Sequence, residues 1–189
     1  AKKTGLRRLA LSGGTFANVR LNQKILELDG VDEISIHPHM GDGGVAMGSA
    51  LDVTARQIGL IPQELSQVYF GNATADSTIV ESAEDFPVKL TRLSDPASEI
   101  ADCLSRKMVI GLFNGRMEYG PRALGHRTIL AEPTDPTMMD WLNKRLERPE
   151  FMPFAPIILE EDAPLYFENF EAGRLPARFM TVCFNVTEH

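Results

Sequence analysis

The chain has little cysteine, few aromatic residues and no long apolar run. Its two cysteines, Cys103 and Cys183, lack the C-x-x-C spacing of a zinc knuckle or a disulfide scaffold, so we expect two buried thiols. No stretch of about 18 apolar residues is present, and no charged segment leads into an apolar one. These absences predict neither a membrane span nor secretion, and they favour an ordinary globular protein of the cytoplasm.

Basic residues are fewer than acidic ones, with 19 Lys and Arg against 26 Asp and Glu. The formal net charge is therefore -7, and the sequence pI is about 5.1. A nucleic-acid binder neutralises phosphates with a broad basic surface, so no nucleic-acid partner is expected. One segment departs from this background. Residues 115–127, GRMEYGPRALGHR, contain one acid, Glu118, beside a basic group made of Arg116, Arg122, His126 and Arg127.

This basic segment has two interpretations. Guanidinium groups bind phosphate and carboxylate oxygens in pairs and stay charged at any working pH, which favours a site for a small anion. The alternative is an internal salt-bridge network, in which Glu118, Glu132 and other acids pair the arginines.

The first 60 residues predict two strand–turn–helix units. Buried or alternating apolar patterns predict strands at 6–14 and 31–38, and helical spacing follows each of them, at 18–28 and 41–59. This order indicates an α/β layer. The small residues of the second helix predict that it packs closely against a neighbour.

The periodicity fades between residues 61 and 89, where we expect a connection and a domain boundary. Beyond it, Asp95 and Pro96 are typical of the first residues of a helix, and Asp135 is typical of the next one. The predicted elements are a helix at 95–107, a strand at 108–115, a short helix with Arg122 and His126 on one face, a helix at 135–148 and a strand at 152–162.

The glycine pair Gly13–Gly14 follows the first predicted strand. Backbone amides at such a turn, together with the following helix N-terminus, can hold a phosphate, but a tight turn that needs only a positive φ explains the same residues. Asn18 and Asn22 lie four apart, so one helix face presents their amides to a ligand or to solvent.

Residues 37–44, HPHMGDGG, place two histidines and an aspartate after the second predicted strand. His37, His39 and Asp42 are ligand types for a divalent metal, although histidines are also ordinary residues at a strand end. Asp42 is the stronger candidate of the three.

Four segments together resemble the carbamoyltransferase family of NodU and CmcH type. They are LALSGGTFANVRLNQKI, GDGGVAMGSAL, GRMEYGPRALGHRTILAEP and NKRLERPEFMPFAP, and they occur in the order typical of that family. The resemblance implies an α/β fold with two parts. Residues 1–85 would be the C-terminal part of an actin-like ATPase (ASKHA, ribonuclease H-like) domain, and residues 86–189 would begin a YrdC-like domain that forms carbamoyl-adenylate.

The resemblance implies an ATP-dependent O-carbamoyltransferase. Such an enzyme moves a carbamoyl group from carbamoyl phosphate, through carbamoyl-adenylate, to a hydroxyl of a small acceptor. The implied cofactors are ATP and Mg²⁺, with Fe²⁺ or another divalent metal as an alternative in the first domain, and a homodimer is left open. We expect the chain to be an excerpt that is inactive by itself. The alternative is a non-catalytic relative that binds nucleotide or anion without forming an adenylate.

The resemblance also assigns roles to individual residues. Members of this family commonly read GDDG and FRPFAP, and this chain departs from both patterns. Gly43 stands in place of an acid, and Met152 stands in place of an arginine that would contact an oxyanion. The implied roles are catalysis for Arg122, His126 and Arg127, substrate binding for Arg116, Arg122, Arg127 and Asn143, nucleotide binding for Gly13, Gly14 and Asn18, and metal binding for Asp42.

Overall fold

A computed structural model describes residues 3–59, 65–149 and 153–188 and shows a mixed α/β protein. The described residues contain four short strands in two separate two-stranded sheets. The strands are β1 (Arg8–Leu11), β2 (Glu33–Ile36), β3 (Ile110–Phe113) and β4 (Arg127–Leu130). The α-helices are α1 (Val19–Leu26), α2 (Gly44–Ile58), α3 (Asp76–Ala83), α4 (Pro96–Ser105), α5 (Met138–Arg145), α6 (Ala163–Tyr166) and α7 (Arg174–Ala177).

The chain forms two compact units that are not simple halves of the sequence. Unit 1 comprises the described residues of Ala1–Val68, Tyr119–Arg122 and Ile157–His189. Unit 2 comprises those of Tyr69–Glu118 and Ala123–Pro156. The proposed division near residue 86 and the ASKHA and YrdC-like assignments stay predictions.

Unit 1 is built on a parallel pair of strands. β1 and β2 run in register from Arg8 opposite Glu33 to Leu11 opposite Ile36. Parallel neighbours need a crossover connection, and α1 lies between the two strands in sequence. The predicted order of strand, helix, strand and helix over the first 60 residues is confirmed.

The core of unit 1 lies against β2. Ile34 and Ile36 are two residues apart in the strand, so both side chains point to the same face, and both are buried. The 3₁₀ helix Phe170–Gly173 and α7 pack on β2. The buried cluster consists of Leu26, Ile34, Ile36, Met40 and Val182.

Asn18 and Asn22 hold α1 in place. The Asn18 side-chain oxygen accepts hydrogen bonds from the backbone N–H groups of Arg20 and Leu21 and caps the helix. Asn22 is fully buried, and its amide donates to the carbonyls of Phe16 and Thr181, at 2.7 Å each. The expectation that the amide faces a ligand or solvent is therefore wrong for Asn22, whereas Asn18 is exposed.

Helix α2 forms where the sequence predicts it, but it does not pack closely. None of its residues is buried. Val45 is 64% exposed and Ile58 is 68% exposed, so apolar side chains of this helix face solvent.

Unit 2 is built on an antiparallel pair. β3 and β4 pair from Ile110 opposite Leu130 to Phe113 opposite Arg127. Helix α4 packs beside β3 and begins as predicted, with the Asp95 carboxylate accepting from the Ser98 N–H at 3.1 Å. Helix α3 lies within residues 61–89, where the sequence predicted only a connection.

Three predicted local structures are wrong. Residues 114–126 form turns and not a short helix, and residues 153–159 form no strand. Pro153 and Pro156 have no N–H to donate to a strand ladder, and Pro153–Leu159 pair with no strand in the described chain. The N-cap position of α5 is Thr137, whose side chain makes no capping hydrogen bond, while the Asp135 carboxylate accepts from the Thr137 N–H and hydroxyl.

The two cysteines are half-buried rather than buried. Cys183 lies 3.1 Å from the side-chain oxygen of Gln23 in unit 1. Among the described helices, none has the length and apolar character needed to cross a membrane.

We expect Asn22→Ala to lower the free energy of unfolding by roughly 2 to 3 kcal/mol, because it leaves two carbonyls without their buried donor. Urea unfolding followed by circular dichroism measures the change. Lys24→Ala on the same helix is the control, since the exposed pair that Lys24 forms with Glu27 contributes little. Equal losses for the two variants would contradict the assigned role of Asn22.

Candidate functional site

The basic segment of unit 2 is organised by the carboxylate of Glu118. This side chain is only 7% exposed. Its Oε1 accepts hydrogen bonds from the backbone N–H groups of Leu124 and His126 at 2.8 Å and of Arg127 at 3.1 Å. These N–H groups bind a carboxylate instead of helical carbonyls, which explains why no helix forms at residues 122–126.

The Glu118 carboxylate remains ionised in this position. Burial by itself would raise its pKa, but the backbone N–H groups of Leu124, His126 and Arg127 lower the pKa from 4.5 to about 2. A shift of this size corresponds to roughly 3 kcal/mol of stability at neutral pH. Its negative charge is balanced by amide dipoles and not by a guanidinium.

The His126 side chain is fixed by two contacts within unit 2. Its Nδ1 lies 2.6 Å from the carbonyl oxygen of Arg116. Its ring stacks on Tyr69, with 3.7 Å between centroids and 12° between planes. The Tyr69 hydroxyl in turn donates to the carbonyl of Leu124 at 2.9 Å. The imidazole is therefore held in a defined orientation.

Arg127 has part of its guanidinium bound to backbone. It donates to the carbonyl of Asn114 at 2.8 Å and to that of Gly115 at 3.2 Å. The guanidinium also lies over the ring of Phe113, 3.5 Å from its centroid. These contacts give Arg127 a structural role beside the catalytic and substrate-binding roles predicted for it.

The salt-bridge alternative for the arginines is wrong in the described chain. The ion pairs in residues 3–59, 65–149 and 153–188 involve other basic residues. No described Asp or Glu pairs with Arg116, Arg122 or Arg127, and Glu118 binds backbone amides. No carboxylate in the described part of the chain therefore neutralises the positive charge of these residues.

Arg122 belongs to unit 1, whereas the other basic residues of the segment belong to unit 2. Its guanidinium donates to the carbonyl of Ala17 at 3.0 Å, immediately before Asn18. Gly120, at φ 114°, precedes it, and a Cβ there would lie 3.0 Å from the carbonyl oxygen of Pro38. Arg122 thus lies at the predicted nucleotide loop, whereas Arg116, His126 and Arg127 lie in unit 2.

Some of the amides that could bind a phosphate at the glycine loop of unit 1 already have partners. Gly13 has φ 116°, and its N–H donates to the carbonyl of Met40 at 2.7 Å. The bond joins the loops that follow the parallel strands β1 and β2. Asn18 already caps the first amides of α1. Gly13 therefore has the positive φ that the tight-turn interpretation expects. Nucleotide binding by Gly13, Gly14 and Asn18 stays a prediction.

The three-ligand metal pattern of residues 37–44 does not form. Among the described residues, no three His, Cys, Asp or Glu side chains could share a metal ion. His37 and His39 instead pack edge-on against Tyr119, with ring centroids 5.8 Å and 5.1 Å apart. A metal role for Asp42 alone stays a prediction.

The departure at Gly43 has a steric explanation. A Cβ at residue 43 would collide with the imidazole of His39. In this conformation, His39 occupies the space that an aspartate side chain would take. Met152, the second departure, lies outside the described residues.

Asn143 is fully buried in α5, within unit 2. Its backbone carbonyl accepts from the N–H of Arg148 at 2.8 Å. The substrate-binding role predicted for its side chain is untested.

Sequence reasoning missed Tyr69 and the true role of Glu118. The sequence did draw attention to Glu118, because it is the only acid within the basic segment. Nothing in the sequence pointed to Tyr69, since its stacking partner His126 lies 57 positions away.

Comparison with known proteins connects the chain to one family. Residues 1–51 match the family model described as carbamoyltransferase N-terminus, and residues 101–189 match carbamoyltransferase C-terminus. Nodulation protein NolO of Bradyrhizobium diazoefficiens is 40% identical over 193 residues, covering 99% of this chain and 35% of that protein. Nodulation protein U of the same species is 40% identical over 163 residues, covering 86% of this chain and 27% of that protein.

A third relative, nodulation protein NolNO of Sinorhizobium fredii, is 39% identical over 170 residues, covering 87% of this chain and 25% of that protein. The matched part of these three relatives is thus between 25% and 35% of their own length.

The stability that Glu118 provides should depend on pH. Its folded pKa of about 2 lies below the ordinary value of 4.5, so the contribution is present above about pH 5 and is lost as the pH falls toward 2. We expect Glu118→Gln to reduce the free energy of unfolding at pH 7 by roughly 3 kcal/mol, and the difference from wild type to shrink in acid.

Urea titrations at several pH values measure this difference. Glu132→Gln is the matched control, because the exposed bonds of its carboxylate go to the neighbouring Thr134. A gap between wild type and Glu118→Gln that stays constant from pH 7 to pH 2 would refute the amide-bound carboxylate.

Proposed function

The chain belongs to the carbamoyltransferase family, and we propose that its parent protein transfers a carbamoyl group from carbamoyl phosphate to a hydroxyl of a small acceptor, using ATP. The observation that carries the proposal is the geometry of Arg116, His126 and Arg127. Glu118 fixes the backbone that presents them, and no described carboxylate neutralises the two arginines. Such a group is suited to an anionic substrate.

The proposed reaction has two steps. In the first, water cleaves the O–P bond of carbamoyl phosphate and phosphate leaves, after which an oxygen of the resulting carbamate forms a bond to the α-phosphorus of ATP and pyrophosphate leaves. The hydroxyl oxygen of the acceptor then forms a bond to the carbamoyl carbon, its proton is released and AMP leaves. The first step brings several negative groups together, so arginines that reduce repulsion and orient the reactants lower its barrier.

In unit 2, Arg116 is the proposed anchor for the carbamoyl donor. Its side chain is exposed and forms no ion pair with a described residue. Arg127 contributes charge while its carbonyl contacts hold it in place. The Glu118 carboxylate binds backbone amides and forms no ion pair with either guanidinium.

In unit 1, Arg122 is the proposed contact for the phosphates of ATP. One of its nitrogens donates to Ala17, and the guanidinium fork carries further N–H groups. The N–H groups of Gly13, Arg20 and Leu21 are already bonded, and Arg122 adds side-chain donors beside this loop. Its assignment to carbamoyl phosphate competes with this role.

Asp42 is the residue that would hold a divalent cation. A bound Mg²⁺ would supply charge neutralisation at the phosphates. The described residues provide no three-ligand group, so one carboxylate cannot complete the site, and the proposed steps do not depend on it. A cytoplasmic location and a small hydroxyl-bearing acceptor belong to the same proposal, and a homodimer stays a prediction.

Adenylate formation tests the proposed function. We expect the full-length protein with ATP, Mg²⁺ and carbamoyl phosphate to release pyrophosphate and to form carbamoyl-adenylate, detected by mass spectrometry. Omitting carbamoyl phosphate should stop both. Nucleotide binding without any adenylate would instead support the non-catalytic relative.

Two arginine variants test the separate roles of the units. Loss of one charge-assisted fork costs about 1.5 to 3 kcal/mol, which corresponds to a weakening of binding by about tenfold to a hundredfold. We expect Arg116→Ala to weaken carbamoyl phosphate and spare ATP, and Arg122→Ala to weaken ATP.

Calorimetry on the folded full-length variants measures both ligands, with the exposed Arg145→Ala as control. If Arg122→Ala weakened only carbamoyl phosphate, Arg122 would return to the donor site. If Arg116→Ala left both affinities unchanged, Arg116 would not be part of the site.

A further inference from the structure

The tautomer of His126 is determined by its neighbour. A backbone carbonyl can only accept a hydrogen bond, so the Nδ1 atom that lies 2.6 Å from the Arg116 carbonyl must carry the hydrogen. In the neutral ring, Nε2 is then the nitrogen without a proton and acts as an acceptor. Nε2 forms no hydrogen bond with any residue that the structure describes.

The orientation of this acceptor is also fixed. Tyr69 covers one face of the ring at 3.7 Å and is itself bonded to Leu124. Gly115 lies beside the ring, where an added Cβ would come within 3.2 Å of the His126 Cε1. The backbone N–H of His126 is bound by Glu118. An acceptor held by these contacts loses little conformational entropy on binding a ligand.

The chemistry of this acceptor differs from that of its basic neighbours. Arginine side chains only donate hydrogen bonds, so Arg116 and Arg127 can bind the anionic and carbonyl oxygens of a ligand. The Glu118 oxygens already face backbone amides. His126 Nε2 therefore suits the one part of a carbamoyl group that donates, its amide nitrogen.

We infer that Nε2 of His126 accepts a hydrogen bond from the NH₂ of the carbamoyl group and so distinguishes carbamoyl phosphate from acyl phosphates. This inference rests on the proposed function, because it concerns the same binding site for carbamoyl phosphate, here called the donor site. Acetyl phosphate carries a methyl group in place of NH₂ and leaves the acceptor unpaired. A site that hydrogen-bonds a substrate N–H discriminates against an analogue that lacks it.

The test compares the dissociation constants of carbamoyl phosphate and acetyl phosphate for the full-length protein by calorimetry. We expect wild type to prefer carbamoyl phosphate by about tenfold or more. His126→Phe keeps an aromatic ring for stacking on Tyr69 but removes the acceptor, so it should abolish the preference mainly by weakening carbamoyl phosphate. His126→Asn retains a side-chain oxygen acceptor and should restore part of the preference.

The outcomes distinguish a failure of the His126 inference from a failure of the proposed donor site. A merely structural role for His126 would change both dissociation constants by the same factor and leave their ratio intact, which would overturn the inference. Equal affinity of wild type for the two ligands would also overturn it, while the anion site would stand. Absence of binding of either ligand would remove the donor site itself, and the inference with it.

Discussion

The contact between the Glu118 carboxylate and the backbone amides of Leu124, His126 and Arg127 is the constraint on which the geometry of unit 2 depends. An ionised carboxylate that is buried needs compensation, and several N–H groups converging on it provide that compensation without a cationic side chain. The consequence is a closed turn that replaces the expected helix. The basic side chains on either side of this turn keep their charge available for a ligand.

The turn also determines what His126 can do. With the backbone of residues 124–127 fixed, the imidazole stacks on Tyr69 and points Nδ1 at the Arg116 carbonyl. A basic segment that reads as a set of equivalent cations is thereby divided into donors and one acceptor. This division is a property of the backbone path and not of the residue types.

The same short segment supplies residues to both compact units. Tyr119–Arg122 belong to unit 1, while Glu118 and the residues from Ala123 onward belong to unit 2. Within unit 1, the Tyr119 N–H donates to Val68 and the Arg122 guanidinium to Ala17. Proximity in sequence is therefore a poor guide to shared function here, because one of the four neighbouring basic residues belongs to unit 1 and the other three belong to unit 2.

The sequence by itself determined the strands and helices of the first 60 residues, the Asp95 cap of α4 and the family. Local apolar periodicity and capping depend on a few adjacent residues, and motif order survives without coordinates. Only the tertiary structure decided which amides were already bonded, as at Gly13 and Asn18, and that Glu118 binds backbone instead of arginine. It also assigned Arg122 to unit 1 and His126 to unit 2, and it set Tyr69 against His126, because such contacts join residues whose separation along the chain carries no local signal.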